Sequence, residues 1–512
     1  MLKIIEKIKR NAILKSSVGL LVITLLIKVF GYAEKIILAY YYGTSYQVDV
    51  YTIIITIILS LFFFFREIIE PGFLNVFMST RNKGDEKGAW NLFNQGIRLI
   101  LVITIIITVF TVLFPGKVIN IFAPGFEGMK LNLSTKLIQI AIPACIFLAI
   151  STLTSITLNA LKIFVLPASG ELAFKGIIIL CIVVFYQGFG IAGAAIGIVV
   201  GAIGRLIVHL IRLYDKISFR PVIANKAYLK NVWLLTWPLL IGVTFSQLSI
   251  IIDNIFASYL QEGAIAALSY SRKIIELPVI IFPYILSIVV FPYFSQLAIE
   301  KDQQRLSFLL SESFRWIAIT FIPLSIFFFI YSNPIIEIIL QRGAFNAHST
   351  LLTAKPLAIY SLGLLFFAIE TILVIFYYAN ADTKTPIFIG IGCVLLNIIL
   401  TWFFIHIIGY VGIALAYVIQ KTLKTIILLF LLKRKIQFNN KKIVTFLYKL
   451  LLSSIIFFMI VMLSKVFYNI YNLNLIMKLL LLAGIFTIGG LIYIAILYFT
   501  GGLKVKNNIP TA

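Results

Sequence analysis

Residues 159–194 read NALKIFVLPASGELAFKGIIILCIVVFYQGFGIAGA, and residues 380–416 read NADTKTPIFIGIGCVLLNIILTWFFIHIIGYVGIALA. Both run in one order. A polar turn (Asn159–Lys162; Asn380–Lys384) leads to a proline (Pro167; Pro386). A long apolar run follows, then a short Gly-containing turn (Gly190-Ile-Ala-Gly-Ala194; Gly412-Ile-Ala-Leu-Ala416) that opens a second apolar run. The offset is about 220 residues. Each apolar run is long enough to cross a bilayer, which takes about 20 apolar residues as a helix. Six helices separate equivalent positions, and an even number preserves orientation across a membrane. The repeat therefore predicts two parallel six-helix lobes, an arrangement found in transporters.

The rest of the chain fits that frame. Of 512 residues, 61% are hydrophobic and 12% are charged, about half the usual globular share of charge. This excludes an ordinary soluble enzyme, a disordered chain and a disulfide scaffold. Fourteen apolar cores are predicted, at 17–40, 48–78, 92–114, 137–160, 166–186, 190–213, 232–260, 266–297, 316–340, 351–379, 386–407, 411–432, 446–467 and 475–499. The predicted fold is an all-α polytopic membrane protein. Residues 1–215 form an N-terminal lobe (helices 1–6), 216–435 a C-terminal lobe (helices 7–12), and 436–512 a last helix pair with a tail. Several cores exceed 25 residues, which implies tilt or kinks. The connections are too short for a soluble domain. Glu300–Arg315 reads as either an interfacial helix or a solvated linker.

The net charge of +24 comes from 43 Lys and Arg against 19 Asp and Glu. In a soluble protein this would suggest nucleic acid; here it reports topology. With the N-terminus inside, the inner segments carry 25 basic residues, and the outer loops only Lys117, Lys130, Lys136 and Arg342. Such a bias predicts fourteen spans with both termini cytoplasmic. Basic inner loops also suit anionic lipids of the inner leaflet. The basic N-terminal stretch Met1–Lys15 is read as uncleaved, because the apolar run after it is long and lacks a small-residue cleavage site.

Ionisable residues at membrane depth cost about 2.5–3.5 kcal/mol on insertion scales, so they must face protein or water. Four spans concentrate them. The first holds Lys28, Glu34 and Lys35; the second Asp49, Arg66, Glu67 and Glu70; the seventh Asp253; the eighth Arg272, Lys273 and Glu276. Spans 1/2 and 7/8 are equivalent pairs in the two lobes, so the placement predicts a polar, net-cationic cavity between lobes. The predicted substrate-binding set is Lys28, Glu34, Lys35, Arg66, Arg272 and Lys273. For each of these the plainer alternative is a paired structural charge. Asp253 lies deep in an apolar helix and reads as a cation or proton site, or as a partner for a basic residue. Asn397 and Thr401 share a helix face at i, i+4 and offer neutral oxygens to such a cation, or interhelical hydrogen bonds. Spans 13 and 14 carry Lys465 and Lys478 near their outer ends, where lysines snorkel.

No GxxxxGK[ST] phosphate loop is present, which argues against ATP as the driver. Neither GxSxG nor HExxH occurs. The three cysteines (Cys145, Cys181, Cys393) and three histidines have no metal-ligand spacing. No resident cofactor is expected, and no enzyme activity. Energy must then come from a coupling cation (Na⁺ or proton) or from the membrane potential.

Several short stretches carry a resemblance. They are Ala39-Tyr-Tyr-Tyr-Gly43 with Asp49; Glu70-Pro-Gly-Phe73; Leu158-Asn-Ala-Leu161 with Leu166-Pro167; Leu260-Gln-Glu-Gly263 and Ala267-Leu-Ser-Tyr270 after Asp253; Glu276-Leu-Pro278 with Phe291-Pro292; Gln341-Arg-Gly-Ala-Phe345; and Tyr377–Pro386. In this order, at matching spans, the chain resembles the MurJ (MviN) family of lipid II flippases, within the multidrug/oligosaccharidyl-lipid/polysaccharide exporter superfamily. The resemblance implies a fourteen-helix fold with a V-shaped central cavity in the bacterial cytoplasmic membrane. It implies export of an undecaprenyl-pyrophosphate-linked muropeptide by alternating access. The partner is then a lipid-linked oligosaccharide, with no nucleic acid.

The sequence departs from the family pattern at charged positions. Glu34-Lys35 stands where the family has Arg-Asp, Phe65-Arg66 where it has Arg-Arg, and Arg272-Lys273 where it has Asp-Arg. Lys28 keeps a family cation as lysine. Lysine binds phosphate as a point charge without the guanidinium fork, so another prenyl-linked glycan (a capsule, exopolysaccharide or teichoic-acid precursor) stays open as cargo. A cation-coupled drug exporter is the more distant alternative.

Overall fold

The computed structural model describes residues 2–218, 232, 247–248, 250–433, 436, 440–467 and 473–503. Most of the predicted seventh span lies outside them. The described chain is helical throughout its regular structure, and it divides into two compact units, Met1–Ala266 and Ala267–Ala512. It is a multi-pass all-α membrane protein. Among the described residues nine helices are long and apolar enough to cross a bilayer, or eleven if each of two bent pairs is one span. Two further helices of 41 and 36 residues, Leu2–Tyr42 and Ala264–Ile299, contain the predicted first and eighth spans.

The first unit contains α1 (Leu2–Tyr42), α2 (Tyr46–Asn82), α3 (Glu86–Leu113), α4 (Pro115–Phe122), α5 (Gly128–Ala141), α6 (Ala144–Ala160), α7 (Val165–Phe189) and α8 (Ala192–Leu213). Asp85 caps α3 by accepting from the Gly88 amide at 2.8 Å, which satisfies one of the orphan donors of its first turn. Pro143 lies at the break between α5 and α6, which meet at 44° and share one predicted span. Helices α7 and α8 pack most closely. Gly193, Gly197 and Gly201, four residues apart on α8, face α7, and an added Cβ would come within 2.6–2.9 Å of Phe185, Cys181 and the Phe174 carbonyl. Small residues at this spacing let two backbones approach where lipid supplies no hydrophobic drive. Outward, α3 presents Leu99, Val102, Ile106, Val109 and Leu113 as exposed apolar side chains, a surface suited to acyl chains.

The second unit contains α9 (Ala264–Ile299, which begins just before the boundary), α10 (Gln303–Ile330), α11 (Ser332–Leu340), α12 (Ala347–Leu362), α13 (Leu364–Ala379), α14 (Lys384–Ile408), α15 (Val411–Lys433), α16 (Asn440–Phe467) and α17 (Leu475–Phe499). Gly363 separates α12 from α13, which bend by 52°. Helix α9 runs through Pro278, Pro283 and Pro292. The stretch Glu300–Arg315 resolves as neither predicted form. Asp302 accepts from the Arg305 amide at 2.9 Å and caps α10, so the helix starts at Gln303 and continues into the ninth span.

The repeat appears in the backbone, with one correction. Lys162 and Ala381 both take positive φ, 63° and 56°, each two residues after the preceding helix ends. Gly190 (φ 55°, ψ −139°) is matched by Gly409 (φ 61°, ψ −143°). Gly193 is matched by Gly412, since an added Cβ would strike the residue eight positions earlier in each case, Phe185 and Phe404. Gly190 therefore pairs with Gly409, not with Gly412. The sequence comparison followed Gly-Ile-Ala, whereas the backbone follows the glycine that must adopt the left-handed region.

A second correction concerns Lys478. It does not snorkel: it is 4% exposed and its ammonium meets Glu337 of α11. A half-buried acid within reach takes the ammonium in place of the interface.

Candidate functional site

In the first unit the membrane-depth charges differ in burial. Glu34 on α1 is 2% exposed. Its carboxylate accepts from Lys175 Nζ on α7 at 2.7 Å and from the Tyr51 hydroxyl on α2 at 3.4 Å. One acid thus ties three helices together. Arg205 on α8 is buried against Glu171 of α7, with its guanidinium 4.7 Å above the Phe62 ring. His209, one turn on, is 0% exposed and shares a hydrogen with the Thr154 hydroxyl at 2.8 Å. Lys28 and Lys35 are half-buried. Arg66 is exposed and reaches Glu70 at 3.3 Å, one turn below.

Breaking the Glu34–Lys175 pair has a stated cost. Lys175→Met leaves a carboxylate buried against apolar neighbours, which destabilises a fold by about 3–5 kcal/mol. The purified variant is expected to melt well below the wild type in detergent. Adding Glu34→Gln should recover most of the loss. Equal melting of Lys175→Met and wild type would show that the pair contributes nothing.

At the start of α2 the same unit carries a reciprocal cap. Asp49, in the first turn of α2, is 1% exposed and accepts from the amides of Gly263 at 2.7 Å and Ala266 at 2.8 Å. Glu262 in turn accepts from the Tyr46 amide, the first residue of α2, at 2.8 Å. Lys130 Nζ stands 3.6 Å from Asp49. Carboxylates at helix starts satisfy orphan amides and complement the helix dipole. The turn 260–266 is held further by Gly125, whose amide donates to Ser258 Oγ at 3.0 Å and whose missing side chain admits the Ser258 backbone. Asp253, five residues earlier, is half-buried.

In the second unit Arg272 donates to Glu276 at 3.1 Å and lies 4.3 Å above the Tyr417 ring of α15. Lys273 beside it is half-buried. Asn397 and Thr401 on α14 are both 0% exposed. The Thr401 hydroxyl has no hydrogen-bond partner among the described residues.

Sequence reasoning missed a third charged group here. Glu370 on α13 is 7% exposed and bridges two lysines of α15, Lys421 at 2.9 Å and Lys424 at 2.7 Å. Together with Glu276, Tyr417 and Phe367 they line a cavity of about 460 Å³. The signal was present: an acid in the tenth span, and two lysines three apart in the twelfth. Spans 1, 2, 7 and 8 form equivalent helix pairs that both carry charge, whereas the acid Glu370 of the tenth span has no counterpart in the fourth.

A sequence model of the family "Lipid II flippase MurJ" matches residues 38–483. A probable lipid II flippase MurJ of Buchnera aphidicola (subsp. Schizaphis graminum) is 27% identical over 505 residues, covering 96% of this chain and 97% of the relative. One from Borreliella burgdorferi is 26% identical over 447 residues, covering 86% and 87%. Among solved structures, the lipid II flippase MurJ in an inward closed conformation superposes with a TM-score of 0.81 at 24% identity, covering 94% of this chain and 98% of that one. An inward-facing multidrug resistance transporter of the MATE family of the MOP superfamily gives 0.66 at 13% identity, covering 80% and 96%. The chain belongs to the lipid II flippase MurJ family.

Proposed function

We propose that the chain moves lipid II, the undecaprenyl-pyrophosphate-linked peptidoglycan precursor, from the inner to the outer leaflet of the bacterial cytoplasmic membrane. The observation that carries this reading is the match to one flippase family along residues 38–483. The chemistry supports it. A pyrophosphate needs cationic partners, and Lys28, Lys35, Arg66, Arg272 and Lys273 supply them on helices otherwise apolar. Glu34 serves to position rather than to bind, since it is engaged by Lys175 and Tyr51. The protein works as a transporter, without bond chemistry, by alternating access, and both termini are cytoplasmic. Anionic inner-leaflet lipids contact its basic inner loops.

A second reading, another prenyl-linked glycan as cargo, rests on lysine standing for family arginine. Fluorescent lipid II in proteoliposomes tests the first reading. Protein-dependent loss of leaflet protection is the expected result, and a rate equal to that of protein-free vesicles would contradict it.

Transport is driven by a cation or by the membrane potential. Asp253 is the titratable group of this step, and the oxygens of Asn397 and Thr401 are its neutral counterparts on α14. Asp253→Asn is expected to flatten the dependence of the transport rate on Na⁺ and pH. A variant with wild-type rates at every Na⁺ concentration and pH would remove Asp253 from the coupling.

A further inference from the structure

Arg205 is a membrane-depth cation that the binding set does not use. It lies buried on α8, where a charge is costly. Its surroundings fix it on every side. The guanidinium pairs with Glu171 of α7 and stacks 4.7 Å above the Phe62 ring of α2. His209, one turn along the same face, holds α8 to Thr154 of α6 at 2.8 Å. Gly170 of α7 makes room for that imidazole, since an added Cβ would come within 2.6 Å of Nε2. On α2, Arg66 follows Phe62 by one turn, so the two side chains share a face. The guanidinium groups of Arg66 and Arg205 repel one another across this contact.

Replacing a buried ion pair by apolar side chains of similar volume is often neutral or stabilising. The contact of α8 with α2 needs no charge for packing, so packing alone does not account for Arg205. The second unit repeats the device. Lys424 on α15 is the fifteenth residue after Gly409, as Arg205 is the fifteenth after Gly190. It too pairs with a buried acid, but Glu370 comes from α13, where Glu171 comes from α7. On the same helix Tyr417 carries Arg272 of α9 over its ring at 4.3 Å. The cation recurs at one position of the repeat while its acid changes helix. Common to both units is a paired cation, an aromatic ring and an arginine of the binding set.

We infer that Arg205 is a positioning residue for Arg66: it fixes the turn of α2 at Phe62 and turns the Arg66 guanidinium away from α8, toward the cargo pyrophosphate. The inference rests on the lipid II reading and on the place of Arg66 in it. Glu171 belongs to the device, because it ties the Arg205 guanidinium to α7 and offsets its charge. Arg66 itself stays exposed, with its nearest acid, Glu70, on its own helix. It is therefore held by α2 and not by a second helix, which leaves its orientation to whatever fixes α2.

The test is a mutant cycle on the full-length purified protein in detergent, with binding of short-chain lipid II and thermal melting as the two readouts. Arg66→Gln is expected to weaken binding on the order of tenfold. Arg205→Met made together with Glu171→Gln should weaken it to the same degree and melt with the wild type. Adding Arg66→Gln to that pair should cause no further loss, because residues that act as a unit are not additive. Arg205→Lys keeps the charge, as the lysine at 424 does in the second unit, and should retain most of the affinity. The inference is overturned if the two losses multiply, which would make Arg205 independent of Arg66, or if the Arg205 and Glu171 replacements bind as the wild type does. A melting temperature that falls along with the affinity would assign Arg205 to packing and overturn it as well. Should Arg66→Gln bind as tightly as the wild type, Arg66 leaves the binding set and the inference falls with it. Failure of the wild type to bind the probe overturns the lipid II reading itself.

Discussion

Lys28→Ala and Lys273→Ala, made singly, are each expected to abolish export while leaving the protein at normal abundance in the membrane. A hydrogen bond to a charged group contributes about 1.5–3 kcal/mol. Losing one lowers transport about ten- to a hundredfold when the bond is made to the cargo phosphate. Both side chains are half-buried, so truncation removes little packing, and substitutions of this kind alter stability by roughly 0.5 kcal/mol. The separation of export from abundance is the discriminating feature: a folding residue lowers both together. Lys28→Arg and Lys273→Arg, which keep the charge, are expected to retain export. Normal export by both alanine variants would remove these residues from the binding set.

Asp49→Ala is expected to cost stability on the scale of Lys175→Met. The substitution strands the amides of Gly263 and Ala266, which donate to Asp49 at 2.7 and 2.8 Å. Each buried unsatisfied donor costs about 1–3 kcal/mol, so the two together cost about 2–6 kcal/mol. Lys130 also loses its acid at 3.6 Å, a partly exposed contact of small value. Asp49→Asn keeps one acceptor oxygen and should lose about half as much. Thermal unfolding in detergent measures both. An Asp49→Ala variant that melts with the wild type would show that the turn 260–266 is held by other contacts, such as Gly125 on Ser258.

The fold was legible in the sequence because apolar length and charge bias act through simple physics. The turn at Gly190 and its counterpart was also legible, although its register was not. Backbone conformation, not the repeated Gly-Ile-Ala letters, identified Gly409 as the match, with φ 61° against 55°. The bends at Pro143 and Gly363 were hidden for a related reason: hydropathy is continuous across them while the helix axis is not. At the site, the sequence identified the charged residues but not their partners. Nothing in the letters says that Glu34 meets Lys175, 141 residues away. The same gap produced the misreading of Lys478, whose partner Glu337 lies in a short helix outside its own span. The Glu370–Lys421–Lys424 group is the instructive miss. Its three charges were visible, but only the packing of α13 on α15 turns them into one cluster facing a cavity.

The central claim is that this chain exports lipid II. The most direct measurement is complementation in a bacterium depleted of its own lipid II flippase, with surface-accessible lipid II as the readout. Restored growth together with restored outward exposure of lipid II is the expected result. Failure of both, with the protein present in the membrane at the level of a rescuing control, would contradict it.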